Sequence, residues 1–130
     1  MKSLTILLMD DEEMICKLAG SMLKELGHIV TITHDGKETI AKYREAQDEG
    51  RGYDLVILDL TIPGGMDGRE TCARLLELDS KTKIIVSSGY TRDKIMSSFA
   101  EYGFQGLIEK PYTIGKMKEV IDQIFSENNL

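Results

Sequence analysis

Four short apolar runs in this chain each end on a residue that carries a charge or a hydroxyl. LTILLM runs into Asp10-Asp11, YDLVIL into Asp59, TKIIV into Ser87, and GLIE into Lys110. Short apolar runs of this kind read as strands covered on both faces, as parallel strands are. If all four belong to one parallel sheet, their carboxyl ends open on the same edge. Carboxylates, a hydroxyl and an ammonium then converge on one crevice.

The segments between the runs support that arrangement. The first strand, Leu4–Met9, leads to a helix from about Glu12 to Leu26. Its apolar stripe is Ile15, Leu18, Met22 and Leu26, widened by Ala19 and Leu23, and Gly27 ends it. The second strand, Ile29–Thr33, is thinner and more polar, which suits an edge. Asp35 and Glu38 have the spacing of a helix cap and its reciprocal partner, opening a helix that runs to about Ala46. A polar loop, Gln47–Gly52, precedes the third strand, Asp54–Leu58. The turn-rich loop Thr61–Gly68 is followed by a helix over Arg69–Leu78, a strand over Ile84–Val86 and a helix over Asp93–Tyr102. Leu107-Ile108 forms the fifth strand, and Thr113 caps a last helix over Ile114–Phe125. Strands alternating with helices give the α/β class: a doubly wound, five-stranded parallel sheet with helices on both faces. A flavodoxin-like order 2-1-3-4-5 sets strands 1, 3, 4 and 5 side by side, with the crevice beyond their carboxyl ends.

The 130 residues fit a single domain spanning the whole chain, 1–130. The net charge is -6 and the basic residues are scattered among acids, so no nucleic-acid surface is expected. No stretch approaches about 18 consecutive apolar residues, and MKSLTILLMDDEE turns acidic too early for a signal peptide. A cytoplasmic chain with no membrane segment is the expectation. Cys16 and Cys72, each in a helix-like apolar stretch, are expected as buried free thiols.

Clustered carboxylates raise one another's pKa unless a cation neutralises them. Asp10, Asp11 and Asp59 therefore suit a Mg2+ site, with the carbonyl of Thr61 as a further ligand. Taken singly, Asp10 or Asp11 reads equally well as a helix cap, Ser87 as a hydroxyl satisfying backbone, and Lys110 as a surface charge. Their shared edge favours the site. Asp59, after the most apolar strand, is the candidate nucleophile, since a carboxylate attacks phosphorus to form an acyl phosphate. Mg2+ and Lys110 would neutralise the phosphoryl oxygens, and Ser87 would donate its hydroxyl to them. Neither GxxxxGK[ST] nor GxGxxG occurs. His28 and His34 flank the second strand, away from the crevice, and Gly64-Gly65 is assigned to loop geometry.

At these residues the chain resembles the receiver domain of two-component phosphorelays, the response-regulator and chemotaxis-regulator type, from end to end. The resemblance rests on Asp10-Asp11, the DxxxP segment Asp59–Pro63, Asp67-Gly68, Ser87 and Lys110-Pro111. The segments PGGMDG, VSSGY and EKPY look most like receivers attached to hybrid sensor histidine kinases. The resemblance implies that Asp59 takes a phosphoryl group from a phosphohistidine on a sensor histidine kinase or a histidine phosphotransfer domain. It implies that Asp11 binds Mg2+ directly and Asp10 mostly through water, with Thr61 contributing its carbonyl. Ser87 would move toward the phosphoryl group, Lys110 would pair with it, and Lys110-Pro111 would be a cis peptide. Such a domain catalyses its own phosphorylation and dephosphorylation without being a multiple-turnover enzyme, and signals by protein contact. Weak homodimerisation through the face of the fourth helix, fifth strand and last helix is compatible with it.

One position departs from the family. Leu107 stands three residues before the lysine, where receivers often carry Tyr or Phe, so aromatic rotation coupled to Ser87 is not expected. The alternative function is a pseudo-receiver that acts as an interaction module without phosphorylation. An aspartate-dependent phosphohydrolase would need a second acid at position 61, which is Thr61. A flavin-binding domain of the same topology would set its phosphate against carboxylates.

Overall fold

The computed structural model describes residues 3–89 and 98–126. Five parallel strands, β1 (Thr5–Met9), β2 (Ile29–Thr33), β3 (Leu55–Asp59), β4 (Ile84–Ser88) and β5 (Gly106–Glu109), form one sheet of order β2-β1-β3-β4-β5. The helices are α1 (Glu13–Glu25), α2 (Gly36–Asp48), α3 (Gly68–Leu78) and the C-terminal α4 (Ile114–Ser126), with a 3-10 turn at Phe99–Tyr102. The expected doubly wound architecture is the observed one. Half of the helix expected over Asp93–Tyr102, residues 93–97, lies outside the described residues; the described half is mostly the 3-10 turn. Among the described residues no helix is long and apolar enough to cross a membrane.

Side chains along a strand alternate between faces, and the sheet divides its core accordingly. Ile6, Leu8, Ile57, Ile85 and Ile108 pack on one face with Ala19 and Leu23 of α1 and Met117 and Ile121 of α4. Leu7, Met9, Val56, Leu58, Ile84 and Val86 pack on the other face with Tyr43 of α2 and Leu75 of α3. Every residue of β3 and β4 is buried, so these two strands lie at the centre of the molecule. Each fully buried Leu, Ile or Val contributes about 1.5–3 kcal/mol relative to exposure, which is what holds the strand ends in place. Edge strand β2 leaves Ile29 62% exposed, as its composition suggested.

The caps follow from local chemistry. Asp35 Oδ1 accepts from Glu38 N at 2.8 Å, Asp67 Oδ1 from Glu70 N at 2.9 Å, and Thr113 Oγ1 from Lys116 N at 3.2 Å. The reciprocal half expected of Glu38 falls one residue early: its Oε1 accepts from His34 N at 2.7 Å, not from Asp35. The expected stripe of α1 packs on the core through Ile15, Ala19, Met22, Leu23 and Leu26, and is corrected at Leu18. Cys16, Ala19, Gly20 and Leu23 are its buried residues, whereas Leu18 is 42% exposed. Cys16 and Cys72 are free and buried.

Candidate functional site

The strand ends deliver their polar residues to one edge. Asp10 follows β1, and its backbone N donates to Thr33 O at 3.1 Å, which anchors it to β2. Asp59 closes β3 in register with Ser87 of β4. Lys110 follows β5, and its N donates to Ser88 O at 2.9 Å. A cleft of about 430 Å³ opens above these ends, with Asp11, Glu12, Asp59, Thr61, Ser88 and Lys110 among its lining residues.

Lys110 bridges two carboxylates. Its Nζ lies 2.8 Å from Asp10 Oδ2 and 3.4 Å from Asp59 Oδ2. Asp10 is fully buried; its Oδ1 accepts from Glu12 N at 2.9 Å, a turn ahead of the helix, so the helix-cap reading of Asp10 is corrected: the N-cap of α1 is Glu12, with no side-chain cap bond. Burial, then the Asp10 charge, push the Asp59 carboxyl up to about 6, against the opposing pull of Lys110 and the Thr61 N–H. Burial works against the Lys110 ammonium too. The Asp10 hydrogen bond and the two carboxylate charges outweigh it and hold Lys110 above the usual lysine range.

Ligand atoms of Asp10, Asp11 and Glu12 lie within 4.8 Å of one another. A set made of carboxylate oxygens alone fits a hard divalent cation. Glu12 was read from the sequence only as the start of a helix; the signal for it was the unbroken acid run after β1. Asp59 and Thr61, the other expected ligands, border the same cleft.

The strand-end hydroxyls divide between the two faces of the sheet. Ser87 is 1% exposed, and its Oγ shares a hydrogen bond with the hydroxyl of Tyr112, which packs in the α1/α4 core. Of the two strand-end serines, the one that lines the cleft is its neighbour Ser88, together with Thr61 of the loop after β3. The expected placement of Ser87 against the crevice is therefore corrected by one residue. Pleating explains it: Ser87 shares the face of Ile85, and Ser88 the face of Val86. Leu107 packs with the Val86 cluster, so it faces the Ser88 side and not the Ser87 side. In the sequence Tyr112 enters only as the end of EKPY, with no role of its own; its burial and its bond to Ser87 are visible only in the fold. Burial pushes that phenol up to about 12. The Lys110-Pro111 peptide is cis, as the resemblance implied. Neither His28 nor His34 lines the cleft: His28 Nδ1 accepts from Leu4 N at 3.0 Å, and His34 Nε2 meets Glu13 Oε1, next to the acidic cluster, at 2.9 Å.

The site is thus an acidic cleft with a bridging lysine at the carboxyl edge of a doubly wound sheet. The chain belongs to the response regulator receiver domain family, whose model matches residues 6–122. It is 34% identical over 125 residues to the uncharacterized transcriptional regulatory protein YkoG of Bacillus subtilis, covering 95% of this chain and 51% of that protein. It is 30% identical over 122 residues to the chemotaxis protein CheY of Treponema pallidum, covering 93% and 80%. The fold matches a chain in the CheX-CheY-BeF3-Mg+2 complex of Borrelia burgdorferi with a TM-score of 0.84 at 24% identity, covering 94% of this chain and 89% of that one. The chain spans about half the length of YkoG.

Proposed function

We propose that this chain is a phosphoacceptor module, a single domain over residues 1–130, that takes a phosphoryl group from a phosphohistidine onto Asp59. The observation that carries the reading is the setting of Asp59. It is 5% exposed at the end of a buried strand, 3.4 Å from Lys110, and borders the cleft beside the acidic cluster. In the transfer, an Asp59 carboxylate oxygen forms a bond to phosphorus as the phosphorus–nitrogen bond breaks, and the electron pair returns to the imidazole. With its carboxyl pushed up to about 6, Asp59 is mostly ionised at neutral pH and able to attack.

Asp10, Asp11 and Glu12 would hold Mg2+, with Asp59 and the carbonyl of Thr61 as further ligands. Bound there, the ion supplies positive charge to the phosphoryl oxygens. Lys110, already between Asp10 and Asp59, places its ammonium where negative charge gathers. The hydroxyl assigned to the phosphoryl group is that of Ser88, the serine bordering the cleft, while Ser87 is engaged with Tyr112. The donor is a sensor histidine kinase or a histidine phosphotransfer domain, and the output is protein contact. The segments PGGMDG, VSSGY and EKPY support a place beside a hybrid sensor kinase. The chain is not a multiple-turnover enzyme in this reading.

Intact-mass measurement after incubation with acetyl phosphate tests the proposal. One added phosphoryl group, dependent on Mg2+ and lost in Asp59→Asn, is the expected result. No adduct from acetyl phosphate or from a phosphohistidine donor, with no Mg2+ binding by titration, sinks it and promotes the pseudo-receiver.

A further inference from the structure

Tyr112 is 4% exposed, set in the core between the sheet and the helices α1 and α4. A phenylalanine would fill that space without burying a hydroxyl, and a buried hydroxyl costs free energy unless it is paired. Its partner is Ser87 Oγ, itself buried on the same face. The bond joins the last turn before α4 to the end of β4.

That end is gripped on its backbone as well. Leu60 N, one residue past Asp59, donates to Ser87 O at 2.9 Å, and Lys110 N donates to Ser88 O at 2.9 Å. The segment from Lys110 to Tyr112 thus holds β4 twice, through the Lys110 amide at Ser88 and through the Tyr112 hydroxyl at Ser87. A single peptide joins Ser87 to Ser88, so any turn of Ser88 toward Asp59 rotates Ser87 against the Tyr112 hydroxyl. On the opposite face Leu107 offers no polar atom to do this job.

We propose that Tyr112 is a positioning residue for the phosphoryl chemistry at Asp59: its hydroxyl, acting through Ser87, sets where β4 presents Ser88 to the cleft. The inference rests on the reading of Asp59 as phosphoacceptor. It adds a hydroxyl pair on the α1/α4 face of the sheet to the groups that govern transfer. Because α4 starts two residues after Tyr112, behind its Thr113 cap, the same bond ties the position of β4 to the start of that helix.

The test compares wild type, Tyr112→Phe, Ser87→Ala and the double variant. Three quantities are measured: the rate of phosphoryl uptake from acetyl phosphate by intact mass, Mg2+ affinity by titration, and the unfolding midpoint. Each single substitution is expected to slow uptake about three- to tenfold, the size expected for loss of one hydrogen bond. The double variant should be no slower than the slower single, and Mg2+ affinity should be unchanged. A lowered midpoint with unaltered uptake in both singles marks a bond that serves folding alone and overturns the inference. Single effects that multiply in the double variant overturn it too, since the two hydroxyls would then act separately. Should Tyr112→Phe fail to fold, Ser87→Ala decides: unchanged uptake overturns the inference, and slowed uptake at unchanged Mg2+ affinity supports it. Wild type that takes up no phosphoryl group overturns the reading of Asp59 itself, and this inference with it.

Discussion

The ammonium of Lys110 sits closer to Asp10, at 2.8 Å, than to Asp59, at 3.4 Å. Asp10 therefore takes the larger share of the one positive charge, and Asp59 stays buried with incomplete compensation. Its carboxyl rises to about 6 for that reason. The proposed phosphoacceptor is thus held at an energetic disadvantage that a bound cation would relieve.

That disadvantage has a pH signature. Between about pH 4 and pH 6 the folded chain keeps a proton on Asp59 that the unfolded chain has released. Raising the pH through this window therefore lowers stability. Asp59→Asn has no such loss. In chelator it should be more stable than wild type by about 1–3 kcal/mol near neutral pH, with the gap closing below about pH 4. Denaturant unfolding at both pH values checks it; an equal or less stable variant near neutrality contradicts the account.

Lys110 carries the opposite prediction. Lys110→Met leaves Asp10, whose side chain is 1% exposed, as a buried charge without its cation. Removing one member of a buried pair costs about 3–5 kcal/mol, and the partial exposure of Lys110 places the expected loss near the lower end. Mg2+ should restore part of the loss by supplying positive charge to the same carboxylates. Unfolding midpoints with and without Mg2+ measure this, and a variant as stable as wild type in chelator would refute it.

Ser88→Ala should separate chemistry from folding. Removing the hydroxyl at the cleft wall is expected to slow phosphoryl uptake about tenfold or more, as for loss of one oriented donor to a developing charge. Uptake from acetyl phosphate at the wild-type rate would return the role to another group.

Gly68 lies where backbone crowds Asp59. A Cβ there would stand 2.5 Å from Asp59 O and 2.9 Å from Leu60 Cα, neither of which can swing aside. Gly68→Ala should cost about 1–3 kcal/mol of stability and slow uptake by shifting Asp59. Gly52→Ala, whose Cβ would meet nothing within 4 Å, should stay within about 0.5 kcal/mol of wild type. Equal melting of the two variants would count against the crowding argument.

Much of the fold could be read locally. Runs such as LVIL and IIV announce buried strands through their own composition, and Asp35 and Thr113 announce helix starts through their own side chains. The outward roll of Leu18 could not be read, because α1 carries apolar residues on more than one side. Which side is buried is settled by its contacts with the sheet and the last helix, where Cys16, Ala19, Gly20 and Leu23 are buried.

The gathering of Asp10, Asp11, Asp59 and Lys110 at one edge was determined by the sequence alone. Residues at the carboxyl ends of parallel strands share an edge whatever the packing details. Which serine of the pair faces the cleft was decided only in the tertiary structure. A strand buried on both faces, as IIVSS is, carries no alternation of polar and apolar residues to reveal its pleat. Pairing with β3 and β5, and the Tyr112 hydroxyl waiting on the α1/α4 face, sent Ser87 inward and left Ser88 at the site.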